Sequence, residues 1–260
     1  MNSFKQRLSV KQPLLGTFIK TPHHHNTEVL STLGFDTLCL DAEHAPFDRG
    51  DLDRCILAAK ANQQHVVVRI ANDSHDSILN ILDLGADGVV VPHVKSASQL
   101  ERVIKSCYFG HNGRGYAGST RMAGYTSRNI LQNIEHNRSN TTIIAQIEDL
   151  DALHELSDIC QVDGLDCLFI GRMDLTVALG ETDPGAAIVL ETIQQIIDVA
   201  QQYNVSIGMF VANLDELPAW IEKHVSLFLL GSDHSFMLTG AKALQTRFEK
   251  AKDASNNAHI

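Results

Sequence analysis

Residues 77–94 read SILNILDLGADGVVVPHV. The first half spaces its apolar residues along one face of a helix, Gly85 stands where such a helix stops, and GVVVPHV (88–94) is a nearly continuous apolar run. A short run without polar alternation marks a strand buried on both faces, as in a parallel sheet whose crossovers are helices. One helix–stop–strand unit is therefore legible here, and the fold depends on how often it recurs.

Working outward, similar runs stand at 14–20 (LLGTFIK), 37–42 (TLCLDA), 65–70 (HVVVRI), 142–148 (TIIAQIE), 167–172 (CLFIGR), 206–212 (SIGMFVA) and 227–232 (LFLLGS). Helical patterns such as DLDRCILAAKANQ, SASQLERVIKS and AAIVLETIQQIIDVAQQ fall between them. Asp73 or Ser74 is placed to cap the helix before the 88–94 run, and Gly34 closes another. Eight β–α alternations predict an α/β fold, a (β/α)8 TIM barrel. A doubly wound open sheet competes, but no G-x-G-x-x-G follows any strand. A barrel of this kind routinely uses about 250 residues, so 1–260 is expected to be a single domain. Two features stand out within it: a long loop at 107–135 with five glycines and three arginines, and a C-terminal helix at 235–252.

The chain is 44% apolar and 20% charged, as for a soluble globular protein with a substantial core. Its polar start, MNSFKQRLSV, predicts no secretory signal, and no run approaches the roughly 18 apolar residues of a membrane span. Five cysteines without C-x-x-C spacing read as buried thiols of a reducing cytoplasm. A net charge of −10 argues against nucleic acid or an anionic membrane as partner. An anionic small molecule would need a local cation to override that field.

In barrels the chemistry sits at the C-terminal ends of the strands. That rule selects Asp41 and His44, Arg69, Gln146 and Glu148, and Asp174, which follow four different strands. Glu148 and Asp174 come from neighbouring strands with no cysteine nearby, a set suited to Mg2+ or Mn2+ rather than zinc; the plainer alternative is a pair of solvated acids. Arg69 ends an apolar strand, where its charge needs an anion: a ligand carboxylate or enolate oxygen, or else Asp41 or Asp73. His44 is the natural proton carrier, with Asp41 available to fix its tautomer. Glu43, His65, His93 and His234 receive no role, and Lys20 and Lys95 read as solvated rim residues. TPHHHN (21–26) looks like a metal site, but adjacent side chains diverge; near the mouth it would shape a pocket.

DAEHAP, VVVRIAND, QIED and FIGRMDLT, together with LDLGADGVVVPHV, resemble in order and spacing the metal-dependent (class II) pyruvate aldolases of the HpcH/HpaI aldolase family, from about residue 12 to 250. The resemblance implies cleavage of 4-hydroxy-2-oxo-heptanedioate or 2-dehydro-3-deoxy sugar acids, in carbohydrate-acid or aromatic catabolism, to pyruvate and an aldehyde. It implies His44 as acid/base, Arg69 as transition-state stabiliser, and Glu148 and Asp174 as ligands of Mg2+, Mn2+ or Co2+. Gln146, Gly171, Met173 and Asp174 would contact substrate, and Asp83 would raise the basicity of the histidine. Asp83 falls near a helix C-terminus, away from the mouth of its own barrel, so it would act across a subunit contact. The family also implies a homo-oligomer, a hexamer with exchanged C-terminal helices. One departure is clear: the family's Gly-Pro-x-Asp-Leu-Ser reads Gly171-Arg172-Met173-Asp174-Leu175-Thr176. The arginines of 107–135 would reach a distal carboxylate or pack against a neighbouring subunit. Oxaloacetate decarboxylation, or a non-catalytic barrel that binds a dicarboxylate, are the alternative functions.

Overall fold

The structure, a computed structural model, describes residues 2–257. Eight parallel strands close into a barrel in chain order: β1 Leu14–Ile19, β2 Thr37–Asp41, β3 Val66–Arg69, β4 Gly88–Val91, β5 Thr142–Ile147, β6 Cys167–Ile170, β7 Ser206–Phe210 and β8 Leu227–Ser232, which pairs back onto β1. Each coincides with one of the eight predicted runs. Several predicted runs extend beyond the strand at its C-terminal end, because there the chain leaves the sheet to build the mouth.

The core has two parts. Leu38, Leu40, Val66, Val68, Ile143 and Ala145 pack outward against the helices. Phe18, Cys39, Val67, Val90, Ile144 and Phe169 fill the barrel interior, and Phe4 and Leu8 of helix 4–9 join them from below. Side chains alternate along a strand with a period of two. Starting from the interior residues and stepping two positions toward each C-terminus, the inner face continues to Lys20, Asp41, Arg69, Gln146, Glu148 and Gly171. The interior layer thus predetermines which polar residues surround the mouth.

Local signals set the helix boundaries. Ser74 caps helix 75–83 by accepting the Ser77 amide, and Gly85 follows at φ +92°, a conformation glycine adopts without cost. Gly88 meets a different demand, since a Cβ there would fall 2.1 Å from the Thr142 carbonyl oxygen of β5. The predicted C-terminal helix runs Asp233–Asn257. All five cysteines are free and buried, and no helix among the described residues is long and apolar enough to cross a membrane.

Candidate active site

The register of β2 on β3 sets Asp41 opposite Arg69. With both side chains on the inner face, they form a two-pronged pair: Arg69 Nε donates to Asp41 Oδ1 at 2.9 Å and Nη2 to Oδ2 at 2.8 Å. Asp41 is fully buried and the Arg69 side chain is 8% exposed. Burial opposes both charges, yet the hydrogen bonds prevail, holding the Asp41 carboxyl below and the Arg69 guanidinium above their usual values. Asp41 uses two of five guanidinium donors, so the others remain for a ligand. Lys20, at the end of β1, also approaches Asp41, with Nζ 3.4 Å from Oδ2.

This pairing corrects the expected use of Asp41. It does not touch the His44 imidazole; from His44, its Oδ1 accepts the backbone amide alone, at 3.2 Å. The carboxylate nearest the ring is Glu43, whose Oε2 lies 3.7 Å from Nε2. Glu43 turns inward, within 3.3 Å of Arg69 Nε and 3.4 Å of His93 Nε2. His93 sits at φ +52°, a conformation rare outside glycine, and its imidazole also meets Asp149 at 2.9 Å. Burial would lower the His93 pKa, but the surrounding carboxylates raise it.

Glu148 is 3% exposed. Its Oε1 accepts the His93 amide at 2.8 Å and its Oε2 accepts Gln146 Nε2. Burial pushes its carboxyl above the usual range and the Asp174 charge adds to that, against the hydrogen bonds. Gly171 makes room for it: a Cβ at 171 would stand 2.7 Å from Glu148 Oε2 and 2.8 Å from its Cβ. Gln146 Oε1 and Glu43 Oε2 are buried without hydrogen-bond partners. A buried acid repelled by the exposed Asp174, beside oxygens without hydrogen-bond partners, is a donor set that fits a hard divalent cation. Glu43, His93 and Glu148 also place donor atoms within 4.8 Å of one another.

A cavity of about 490 Å³ opens over these groups. Lys20, His44, Arg69, Gln146, Met173 and Asp174 line it, so most of the selected residues do share one mouth. Three other groups lie elsewhere, the first of them where the sequence placed it. Asp83 ends a helix that runs against the strands, which puts it at the opposite face beside Arg114 at 4.0 Å. The loop 107–135 precedes β5 and lies on that face too, where Arg114 is buried, Arg121 bonds Asp53 and Arg128 bonds Asn133; none of the three lines the cavity. His23, His24 and His25 start helix 24–31 with their rings against one another and do not line it either.

The family profile described as HpcH/HpaI aldolase/citrate lyase matches residues 14–239. The chain belongs to this family. A hydroxypyruvate/pyruvate aldolase from Roseobacter denitrificans is 31% identical over 227 residues, covering 83% of this chain and 87% of that protein. A 5-keto-4-deoxy-D-glucarate aldolase from Shigella boydii is 28% identical across 96% of this chain and 97% of its own length. Among solved structures, an HpcH/HpaI aldolase/citrate lyase family protein from Burkholderia cenocepacia superposes with a TM-score of 0.90 at 27% identity, covering 96% of this chain and all of that one. The citrate synthase SbnG superposes with a TM-score of 0.87 at 26% identity, covering 96% and 99%.

A chain of the HpcH/HpaI family is a carbon–carbon lyase, so the non-catalytic alternative falls away. The family motif DAEHAP presents Glu43 to the site as well as His44. The rule that selected Arg69, a polar residue just past an inner-face apolar run, also applies to Lys20. That signal was in the sequence. For His93 it was not, because a positive φ after Pro92 redirects the chain and cannot be read from period-two alternation.

Proposed function

We propose that this HpcH/HpaI enzyme catalyses metal-dependent, reversible aldol cleavage of a 4-hydroxy-2-oxo acid to pyruvate and an aldehyde. The observation that carries the reading is the clamped guanidinium of Arg69 facing the same cavity as His44, Gln146 and Asp174, with buried Glu148 hydrogen-bonded to Gln146. A divalent cation held by Glu148 and Asp174, with Mg2+, Mn2+ and Co2+ the candidates, supplies Lewis-acid polarisation of the 2-oxo acid.

The protein's own part follows from charge and protons. In cleavage the C4 hydroxyl loses its proton, the C3–C4 bond breaks toward C3, and negative charge collects on the C2 oxygen. Arg69 aims its spare N–H groups at that oxygen, and because Asp41 fixes the guanidinium beforehand, little reorganisation is needed as the charge grows. His44, half-exposed at the rim, takes the C4 proton through a water and returns it in the synthetic direction. Gln146 offers substrate its unpartnered Oε1 side, and Gly171, Met173 and Asp174 offer the backbone at the start of helix 172–178. Any catalytic part for Asp83 belongs in the mouth of a second copy. Helix 233–257 leaves Leu238, Leu244 and Phe248 at 60–70% exposure, which supports assembly into a homo-oligomer.

The fold neighbour named as a citrate synthase supports a second use of the same enolate chemistry, oxaloacetate decarboxylation as a side activity. The test is a retro-aldol screen of 4-hydroxy-2-oxo acids with coupled pyruvate detection, with and without EDTA. Pyruvate release that EDTA abolishes and Mn2+ restores is the expected result. Turnover indifferent to chelation would refute the metal-dependent mechanism.

A further inference from the structure

Helix 172–178 brings Asp174 to the cavity, yet little in its own sequence fixes where it starts. Gly171 stands at the N-cap, where a Cβ would collide with Glu148, and no side chain caps the first turn. A helix of seven residues is too short to hold itself, so contacts with other segments must set its position. Leu175 and Thr176 supply part of this by being buried. In the first turn Met173 and Asp174 are both exposed. Arg172 differs, with a side chain only 11% exposed. Its Nη1 pairs with Glu216 Oε2 at 2.5 Å, and its Nε donates to the Pro184 carbonyl at 3.0 Å. Trp220 Nε1 donates to the same Glu216 oxygen at 3.1 Å, and the guanidinium lies 5.7 Å from the buried Trp220 ring.

Pro184 lies in the segment leading to helix 187–202, and Glu216 and Trp220 follow β7. One guanidinium therefore ties the turn after β6 to two other parts of the rim. Arg172, Pro184 and Glu216 all line the cavity. This is also the position at which the family pattern has proline. Proline at the first helical residue presets φ near about −65°. Arginine leaves that rotation free, and here the bonds of its side chain restrain it instead. We propose that Arg172 is a positioning residue for Asp174: braced on Glu216 and Pro184, it holds the uncapped first turn so that the carboxylate two residues on stands ready for the cation it shares with Glu148. The proposal rests on the aldolase reading above, in which Glu148 and Asp174 are the ligands. Arg172 acts through the backbone, by reducing the ordering that binding must otherwise impose.

The test is titration calorimetry of the full chain with Mn2+, with the melting temperature of each variant recorded beside it. Arg172→Met should weaken Mn2+ binding by about tenfold, and its turnover, low at limiting Mn2+, should recover at saturating Mn2+. Glu216→Gln should weaken binding in the same direction and add little to the loss in Arg172→Met, because the two side chains act as one brace. Arg172→Pro should regain most of the affinity, since the ring presets the backbone without reaching Glu216. A role confined to stability predicts the opposite, a proline variant no better than the methionine one. Affinity unchanged in Arg172→Met, no recovery in a folded Arg172→Pro, or additive losses in the double variant would overturn the proposal; where Arg172→Pro does not fold, the double variant decides. Glu148→Gln separates the two levels of the argument. Binding lost in Glu148→Gln but intact in Arg172→Met removes the brace alone. No binding in the wild type, or binding that survives Glu148→Gln, removes the metal assignment and the brace with it.

Discussion

Replacing Asp41 by Asn tests the pair on which the mouth is built. The change keeps size and shape but removes the charge, and it turns one of two accepting oxygens into an amide NH2 that faces the donors of Arg69. Both partners are buried, at 0% and 8% side-chain exposure, so solvent screening offers little relief. Removing one member of such a pair leaves an uncompensated buried charge and costs about 3–5 kcal/mol. At about 2–4 °C per kcal/mol for a chain of this size, the melting temperature should fall by about 6–20 °C. The pH dependence has a definite sign. The Asp41 carboxyl titrates below its unfolded value of about 3.9, so its stabilisation is present above that pH and lost as pH falls through the lower folded pKa. Asp41→Asn should therefore lose stability at pH 7 and lack that part of the acid-side decline. Catalysis should suffer through kcat, by about a hundredfold, since Arg69 loses its preset orientation. Calorimetry from pH 2 to 8 and steady-state kinetics give both readouts. A variant melting within 1–2 °C of wild type at pH 7, with kcat nearly intact, would show that the pair neither holds the mouth nor orients the guanidinium.

Glu148→Gln should abolish Mn2+ binding by titration calorimetry and EDTA-sensitive turnover. It should nonetheless leave the metal-free melting temperature at pH 7 equal or higher, because burial raises the Glu148 pKa and its ionised form is a cost to the empty fold. A clear drop in that temperature would mean the carboxylate is structural. Gly171→Ala should cut kcat/KM by about a hundredfold with a folded barrel, since the new Cβ displaces Glu148 from 2.7 Å away; unchanged kinetics would show that the Glu148 position is not critical. Borohydride with pyruvate should trap no covalent adduct, and mass spectrometry finding one on Lys20 would replace the metal-dependent mechanism by an imine one.

The eight strands were legible because each is a short apolar run long enough to be buried on both faces, and nothing else in the chain imitates that. The mouth was legible for the same reason. Cys39, Val67, Ile144 and Phe169 are interior, so Asp41, Arg69, Gln146 and Gly171 must be. What a single strand does not carry is its register against the next one. The choice between Asp41 serving His44 and Asp41 serving Arg69 depends on the cross-strand alignment of β2 with β3, and only the folded barrel makes it. The loop 107–135 admits two readings, its arginines reaching a distal carboxylate or packing against a neighbouring subunit; a segment leading into a strand lies on the face opposite the chemistry of its own barrel, so the order of elements already argues against the first within one chain. Once Asp41 belongs to Arg69, Glu43 becomes the carboxylate beside His44.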